Sequence, residues 1–384
     1  MQRTNPTTEG VRQVTSSNTI EIDDPSHGGS DDLDLSSDEA QRAARRSLKR
    51  RRRKEGLMGW LFVSPVLILL SVFLIIPILL ALYVSFTKWN GPGGPFSDRV
   101  KVVGLDNYKD LLVNDGLTRK NFVASLRNNF YFVILVVPLQ TLLALGLALI
   151  LNQRRLRAKS FFRTAFYIPS LSSSIAIGLI FVFLFANDGA VNTIVGWFGV
   201  DPVQWVNNSK GIIHELLGVF GVDKAPGFLG NNDVLGMSLW SWLAGPSYSM
   251  CVIIILAIWT TSGTFMLLLL AGLQTIPESV NEAAAIDGAS RRQTLRYLTL
   301  PLLKKQIVLV ITLGLIGTWQ VFDQIYIMSD GAGETVTPAY LSYTTGIREG
   351  RFGAASALAF IVFAIILVFT AVQRFIGREK GDVS

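Results

Sequence analysis

A single cysteine in 384 residues, Cys251, excludes an internal disulfide, and two histidines are too few for a His-rich metal site. Charge is scarce as well: Asp, Glu, Lys and Arg make up 16% of the chain, against 50% hydrophobic residues. The phosphate-cradling pattern Gly-x-x-x-x-Gly-Lys-Ser/Thr does not occur, nor do Gly-x-Ser-x-Gly and His-Glu-x-x-His. These absences exclude an ATPase of that type and the commoner hydrolases. The chain is expected to be no enzyme on its own and to bind neither metal nor cofactor.

What the sequence has is hydrophobic residues in long blocks. A bilayer core ~30 Å thick needs roughly 20 consecutive apolar helical residues to cross it. Six blocks reach that length, over 57–83, 130–151, 164–186, 248–273, 307–328 and 353–375. The fold class expected is all-α, a polytopic membrane protein with six transmembrane helices and a membrane domain over 57–376. Pro65, Pro77, Pro138 and Pro169 lie in or near these blocks. They are tolerable there because neighbouring helices satisfy the backbone groups a proline frees.

Residues 1–56 form a separate tail. The first 41 carry nine acidic side chains and few large apolar ones, too little burial to offset the entropy of ordering, so disorder is expected. Over 42–54 nine residues are Lys or Arg. A secretory signal also sets positive charge before an apolar run, but this run is too long and lacks a small-residue cleavage site. Basic runs also bind nucleic acid; lying against a hydrophobic block, this one reads as a topology signal, and no nucleic acid partner is expected. Apart from Arg3 and Arg12, 22 Lys and Arg fall on the side of the two termini and 11 in the opposite loops. That bias places the tails 1–56 and 377–384 in the cytoplasm, as in a multi-pass protein of the bacterial inner membrane.

Two loops on the opposite side are long. The first, 87–127, opens with Gly91-Pro92-Gly93-Gly94-Pro95, a turn signal. The second, 187–247, exceeds a simple turn. Within it Ile212, Ile213, Leu216, Leu217 and Phe220 recur at helical spacing, which predicts a short amphipathic helix. Trp240 and Trp242 precede the fourth block, where aromatic rings commonly sit at the headgroup level.

The loop 275–303, on the side of the termini, is the most informative. Thr275 and Glu278 have capping-box spacing with Pro277 in the first turn. Gly288 suits the left-handed end of a helix. Ser290 and Gln293 form a second box, and Pro301 stops the second helix. The spacing therefore predicts helix, turn, helix. Ala283, Ala284 and Ala285 leave one face of the first helix smooth enough to seat in another protein, with Glu282 and Asp287 at its rim. On physics alone, a docking elbow and a plain well-capped loop are both open.

At these residues the sequence resembles a known family. Glu282-Ala-Ala-x-x-Asp287-Gly288-Ala289, followed by Leu-Pro at 300–301, is similar to the coupling-loop motif of ABC importer permeases. Trp60 to Pro65, Gly104-Leu105-Asp106-Asn107-Tyr108, Arg163 to Pro169, Trp319 to Ile327 and Arg351-Phe352-Gly353-Ala354-Ala355-Ser356-Ala357 resemble its carbohydrate-uptake branch. The subunit type is that represented by the larger permease of the maltose transporter. The resemblance covers most of 57–378; the charged tail lies outside it, and the 187–247 loop is longer than in plain six-helix members. It implies the type I ABC importer permease fold, with Glu282, Ala283, Ala284, Asp287, Gly288 and Ala289 as the ATPase-coupling residues. It also implies partners: a second homologous permease, two ATPase subunits carrying ATP and Mg, an external binding protein and a sugar. By alignment, substrate contacts fall near Thr260, Thr261 and Thr264 and near Thr318, Trp319 and Gln320.

The residues themselves add Asp323. An aspartate at mid-bilayer costs on the order of 3 kcal/mol on insertion scales, and this one stands between Gln320 and Gln324. Trp319, Asp323 and Tyr326 would share one face of a continuous helix, offering an aromatic plane and polar groups suited to a sugar; a side chain merely reaching water near the helix end is the plainer alternative. The function expected is the membrane permease of an ATP-driven, binding-protein-dependent importer for a di- or oligosaccharide. The alternatives are an ion-coupled secondary transporter, for which only Asp323 offers an intramembrane carboxylate, a permease for a polyol such as glycerol phosphate, and a non-transporting membrane anchor.

Overall fold

The computed structural model describes residues 55–377 apart from 57, 99, 154, 155 and 223. The charged tail expected over 1–56 lies outside the described residues except at its last two positions, and the tail after 377 lies outside them too. Contacts divide the chain into two units after Ile75. The described residues of the first are helical and open α1 (Met58–Ser85), whose most apolar stretch contains no buried residue. Phe62 is 87% exposed and Phe73 76%. A continuous apolar surface of that kind is stable against lipid, not water.

The helices of the second unit that place the site are, in chain order, α2 (Leu117–Asn152), α3 (Lys159–Leu171), α4 (Ser174–Leu184), α5 (Tyr248–Gln274) and α6 (Glu278–Ile286), with shorter helices in the connecting loops. They are followed by α7 (Arg291–Leu302), α8 (Lys304–Trp319), α9 (Asp323–Met328) and α10 (Phe352–Gly377). Among the described residues, α1, α2, α5 and α10 are long and apolar enough to cross a membrane unaided. Two bent pairs, α3–α4 at 95° and α7–α8 at 67°, raise the number to six if each pair is one span. The described residues are thus mostly helical and hold four to six candidate spans, four of them continuous.

Two expected spans are interrupted, the first by the α3–α4 bend and the second by a separate break after α8. Over 164–186 the helix stops at Leu171, because Ser172 and Ser173 take extended backbone with ψ of 152° and 128°. Pro169 withholds a ladder N–H there. The Ser172 hydroxyl donates to the Ile168 carbonyl at 3.0 Å, giving the backbone a local alternative to the helix. Over 307–328, α8 ends at Trp319 and Gln320 to Phe322 are not helical before α9 begins. Phe322 leaves the helix to stack among Tyr326, Tyr340 and Tyr343, at centroid distances of 5.6, 6.2 and 5.1 Å. The second expected span, 130–151, is the apolar part of α2, which begins at Leu117 and runs 36 residues, ~54 Å at 1.5 Å per residue.

α2 and α5 form the central pair. One stripe of α2, Phe132, Val136, Ala144 and Ala148, buries against Met250, Leu256, Met266 and Leu270 of α5, the i, i+4 pattern of an amphipathic face. A second stripe, Phe122, Val133 and Val137, meets Leu358, Val362 and Ile366 of α10. Gly263 lets α3 cross α5 closely: a Cβ there would collide with the Phe166 carbonyl and the Ser170 hydroxyl. Ser170 fills the crossing by donating to the Thr260 carbonyl at 2.5 Å while accepting from the Thr264 amide at 3.2 Å. It therefore inserts into the helical ladder of α5.

The motif over 104–108 is structural. Asn107 donates to the Ser85 and Thr87 carbonyls at 2.8 and 2.9 Å, and Tyr108 meets the Ser85 hydroxyl at 2.7 Å. β1 (Thr87–Lys88) pairs antiparallel with β2 (Lys101–Val102) beside them. Gly353 at the start of α10 faces the Thr87 carbonyl, where a Cβ has no room. In the 187–247 loop the expected helix is present at Ile212–Val219. Trp240 stacks on His214 at 4.3 Å and Trp242 donates to the Val234 carbonyl at 3.2 Å, so both tryptophans pack the loop on itself.

Candidate functional site

The elbow over 275–303 forms much as its sequence predicts. α6 ends in a paired cap: the Ala289 amide donates to the Ala284 carbonyl at 2.9 Å and the Gly288 amide to Ala285 at 3.2 Å. Gly288 has φ +72°, the left-handed turn this cap requires. Ser290 and Gln293 form a reciprocal capping box. Two details differ. Thr275 closes α5, its hydroxyl donating to Gly272 at 2.8 Å, and Pro277 precedes α6 without a side-chain cap. Pro301 lies within α7, and the turn falls at Leu303. Ala284 is buried, Ala289 half-buried, and Glu282, Ala283, Asp287 and Gly288 are exposed. Ile286 beside them is 86% exposed.

A cavity of about 320 Å³ opens between α2, α5, α8 and the break before α9. Its polar lining is Gln140, Thr261, Thr318, Gln320, Asp323 and Gln324, and its apolar lining includes Phe132, Phe265 and Phe322. Gln140 is 1% exposed. Its carbonyl accepts from the Thr261 hydroxyl at 2.6 Å, while its amide nitrogen has no partner. Thr318 hydrogen-bonds within its own helix, to the Gly314 carbonyl at 2.9 Å. Gly314 makes room for Gln140, whose amide a Cβ there would strike.

Four of the seven residues expected along a substrate path therefore meet here: Thr261, Thr318, Gln320 and Asp323. The other three stand elsewhere. Thr260 hydrogen-bonds to Leu256 of its own helix, and Thr264 is exposed beside the Ser170 insertion. Trp319 is 2% exposed in the cluster shared with α10, its ring 5.5 Å from Phe369. The shared face of Trp319, Asp323 and Tyr326 does not form, because the helix breaks between the first and second. Gln140, Gln324 and Phe322 are lining residues the sequence reading did not select. A lone glutamine in an apolar span was the available signal for Gln140.

Beyond Phe322 the aromatic packing continues to a charged knot. Arg348 donates to both carboxylate oxygens of Asp330, at 2.6 and 3.1 Å, and Tyr340 donates to Asp330 at 2.8 Å. The guanidinium lies about 6 Å from the rings of Tyr326, Tyr340 and Tyr343. The Arg348 and Tyr340 hydrogen bonds hold the Asp330 carboxyl below its ordinary pKa. Burial, then the bond to Asp330, pushes the Tyr340 phenol up to about 12. A second cavity of about 810 Å³ is walled by the 187–247 loop and by Arg127, which is 11% exposed and pairs with Glu334 at 2.7 Å.

Residues 140–381 match the family of binding-protein-dependent transport system inner membrane components. The lactose transport system permease protein LacF of Rhizobium radiobacter is 31% identical over 327 residues, 84% of this chain and 94% of that protein. The trehalose/maltose transport system permease protein MalF of Thermococcus litoralis is 30% identical over 331 residues, 86% and 96% respectively. Among solved structures, a bacterial ABC transporter involved in import of the acidic polysaccharide alginate superposes with TM-score 0.62 at 19% identity, over 86% of this chain and 98% of that one. At that identity the likeness concerns the fold.

Proposed function

Because this chain belongs to the family of inner membrane components of binding-protein-dependent transport systems, we propose that it is the permease subunit of an ATP-driven sugar importer. The observation that carries the sugar reading is the likeness, over more than four fifths of the chain, to permeases named for lactose and for trehalose and maltose. The cavity supports it chemically. A sugar presents apolar C–H faces and hydroxyls; Phe132, Phe265 and Phe322 suit the first, and Gln140, Thr261, Thr318, Gln320, Asp323 and Gln324 the second.

With α3–α4 counted as one crossing and α8 with the segment that follows it as another, the chain crosses the bacterial inner membrane six times with both termini in the cytoplasm. A second homologous permease completes the path, two ATPase subunits bind ATP and Mg, and an external binding protein delivers the sugar. The elbow formed by α6, its turn and α7 seats in an ATPase subunit. Ala283 and Ala289 allow close approach, Ala284, buried within the chain, holds the elbow's own packing rather than facing the partner, Glu282 and Asp287 supply rim contacts, and Gly288 holds the turn. Closure of the ATPases pushes the elbow and turns the cavity outward; nucleotide release returns it inward. The ions of a secondary transporter have no further carboxylate in the cavity lining to bind beside Asp323. In vesicles holding the whole transporter, Glu282→Ala and Gly288→Pro should abolish uptake of lactose, trehalose or maltose while ATP hydrolysis persists. Unchanged uptake in both variants refutes the coupling role, and uptake without ATP refutes the importer reading.

A further inference from the structure

The cavity between α2, α5 and α8 carries more than a list of polar groups: it has a sign. Asp323 is its single ionisable lining residue, and no Lys, Arg or His is among the described residues that line it. Asp323 makes no salt bridge among the described residues to neutralise it; Arg348, the basic side chain of the adjacent aromatic knot, is engaged by Asp330 at 2.6 Å. The remaining polar lining is neutral. One end of the Gln140 amide is held by the Thr261 hydroxyl and the other, buried end is unpartnered. Leaving a buried polar end unsatisfied is unfavourable, so the site is built to receive a group such as a hydroxyl, which can meet an amide as donor or acceptor.

We propose that this cavity recognises an uncharged, hydroxyl-rich sugar and rejects uronates and phosphorylated polyols, with Asp323 setting that choice. The inference rests on the sugar-importer reading and narrows its substrate class. A carboxylate accepts hydrogen bonds from hydroxyls, and two neighbouring hydroxyls of one ring match its two oxygens. The free end of the Gln140 amide pairs with a further hydroxyl of the sugar. The neutral amide does not set the choice between a hydroxyl and a carboxylate; the repulsion by Asp323 does. Between two like charges ~6 Å apart in a partly water-filled cavity that repulsion amounts to roughly tenfold or more in affinity. The glycerol phosphate alternative is excluded on the same ground, since its phosphate carries more negative charge than a uronate.

The test uses the purified whole transporter without its binding protein, so that the binding protein's own selectivity does not intervene. Thermal stabilisation is measured against maltose, trehalose and lactose, against the same disaccharides oxidised to uronates at C6, and against their amino-sugar forms. For at least one sugar the neutral form should stabilise at roughly tenfold lower concentration than its uronate, and the amino form no worse than the neutral one. In Asp323→Asn the neutral-to-uronate gap should close to about twofold, and in Asp323→Lys it should invert. A uronate that stabilises the wild type as well as its neutral parent overturns the inference, as does an unchanged preference in Asp323→Lys. If the uptake assay shows ATP-driven import of a neutral sugar while the charge preference is absent, this inference fails and the sugar-importer reading stands. If no sugar is imported, both fall together.

Discussion

Replacing Thr261 by Val tests the polar centre of the cavity with a readout that does not depend on knowing the substrate. The Thr261 hydroxyl donates at 2.6 Å to Gln140, whose side chain is 1% exposed and whose amide nitrogen already lacks a partner. Thr261→Val leaves both ends of a buried amide unsatisfied, which costs about 1–3 kcal/mol. Gln140→Leu should behave differently. The Thr261 hydroxyl also reaches the Ala257 carbonyl at 2.7 Å, so it keeps a partner, and the orphaned amide disappears; the change should be neutral or stabilising. In the double variant most of the loss should return, because no buried amide remains to be left unpaired. Thermal unfolding of the purified protein in detergent reads the cycle, with shifts of a few degrees expected for losses of this size. Equal stability of Thr261→Val and wild type refutes the reasoning, and so does a double variant as unstable as the sum of the two single changes.

Two further outcomes follow from the packing and from the charged knot. Gly263→Ala sets a Cβ against the Phe166 carbonyl and the Ser170 hydroxyl; a backbone oxygen cannot step aside, so α3 must move and stability should fall by about 1–3 kcal/mol, seen as a lower unfolding temperature in detergent, whereas an unchanged value refutes the close crossing. Asp330 has a depressed pKa because Arg348 and Tyr340 bond its carboxylate. A depressed folded pKa contributes stability that is present above the unfolded value of a carboxyl and is lost as pH falls through the folded one. Asp330→Asn should therefore be less stable than wild type at pH 7, and the gap should shrink as the pH is taken below 4; a gap independent of pH removes the ion pair from the account.

How much of this was readable in advance depends on whether a feature is decided within a few residues. The Gly288 turn and the Ser290–Gln293 box were legible because both are settled by groups three to five positions apart. The helix at Ile212–Val219 was legible from its apolar period. Thr275 shows the limit of such patterns: its spacing to Glu278 suits a capping box, yet the end of α5 arrives first and takes the hydroxyl for Gly272. The breaks at Ser172–Ser173 and Gln320–Phe322 were not legible as breaks. Both fall at short polar stretches, Ser172 to Ser174 and Gln320 to Gln324, that apolar residues on either side absorb into one long block, and what bends the second is the fit of Phe322 among tyrosines from a segment some 20 positions on.

The candidate site follows the same division, and it shows what intramembrane polarity does and does not say. Hydrocarbon makes every polar side chain costly, so their presence in a span is informative, but a hydroxyl can repay that cost within its own helix. Thr260 does so through Leu256, and Thr318 through Gly314 even while it lines the cavity. An amide has two ends and too little reach to satisfy both on its own turn; it needs a second helix, as Gln140 needs Thr261. A carboxylate with no basic neighbour needs water or a ligand. Amides and carboxylates are therefore better pointers to a shared interior than threonines. Ranked that way, Gln140, Gln320, Asp323, Gln324 and Gln373 stand out from the bare sequence; the first four line the cavity between α2, α5 and α8, while Gln373 near the end of α10 donates instead to the Val308 carbonyl of α8.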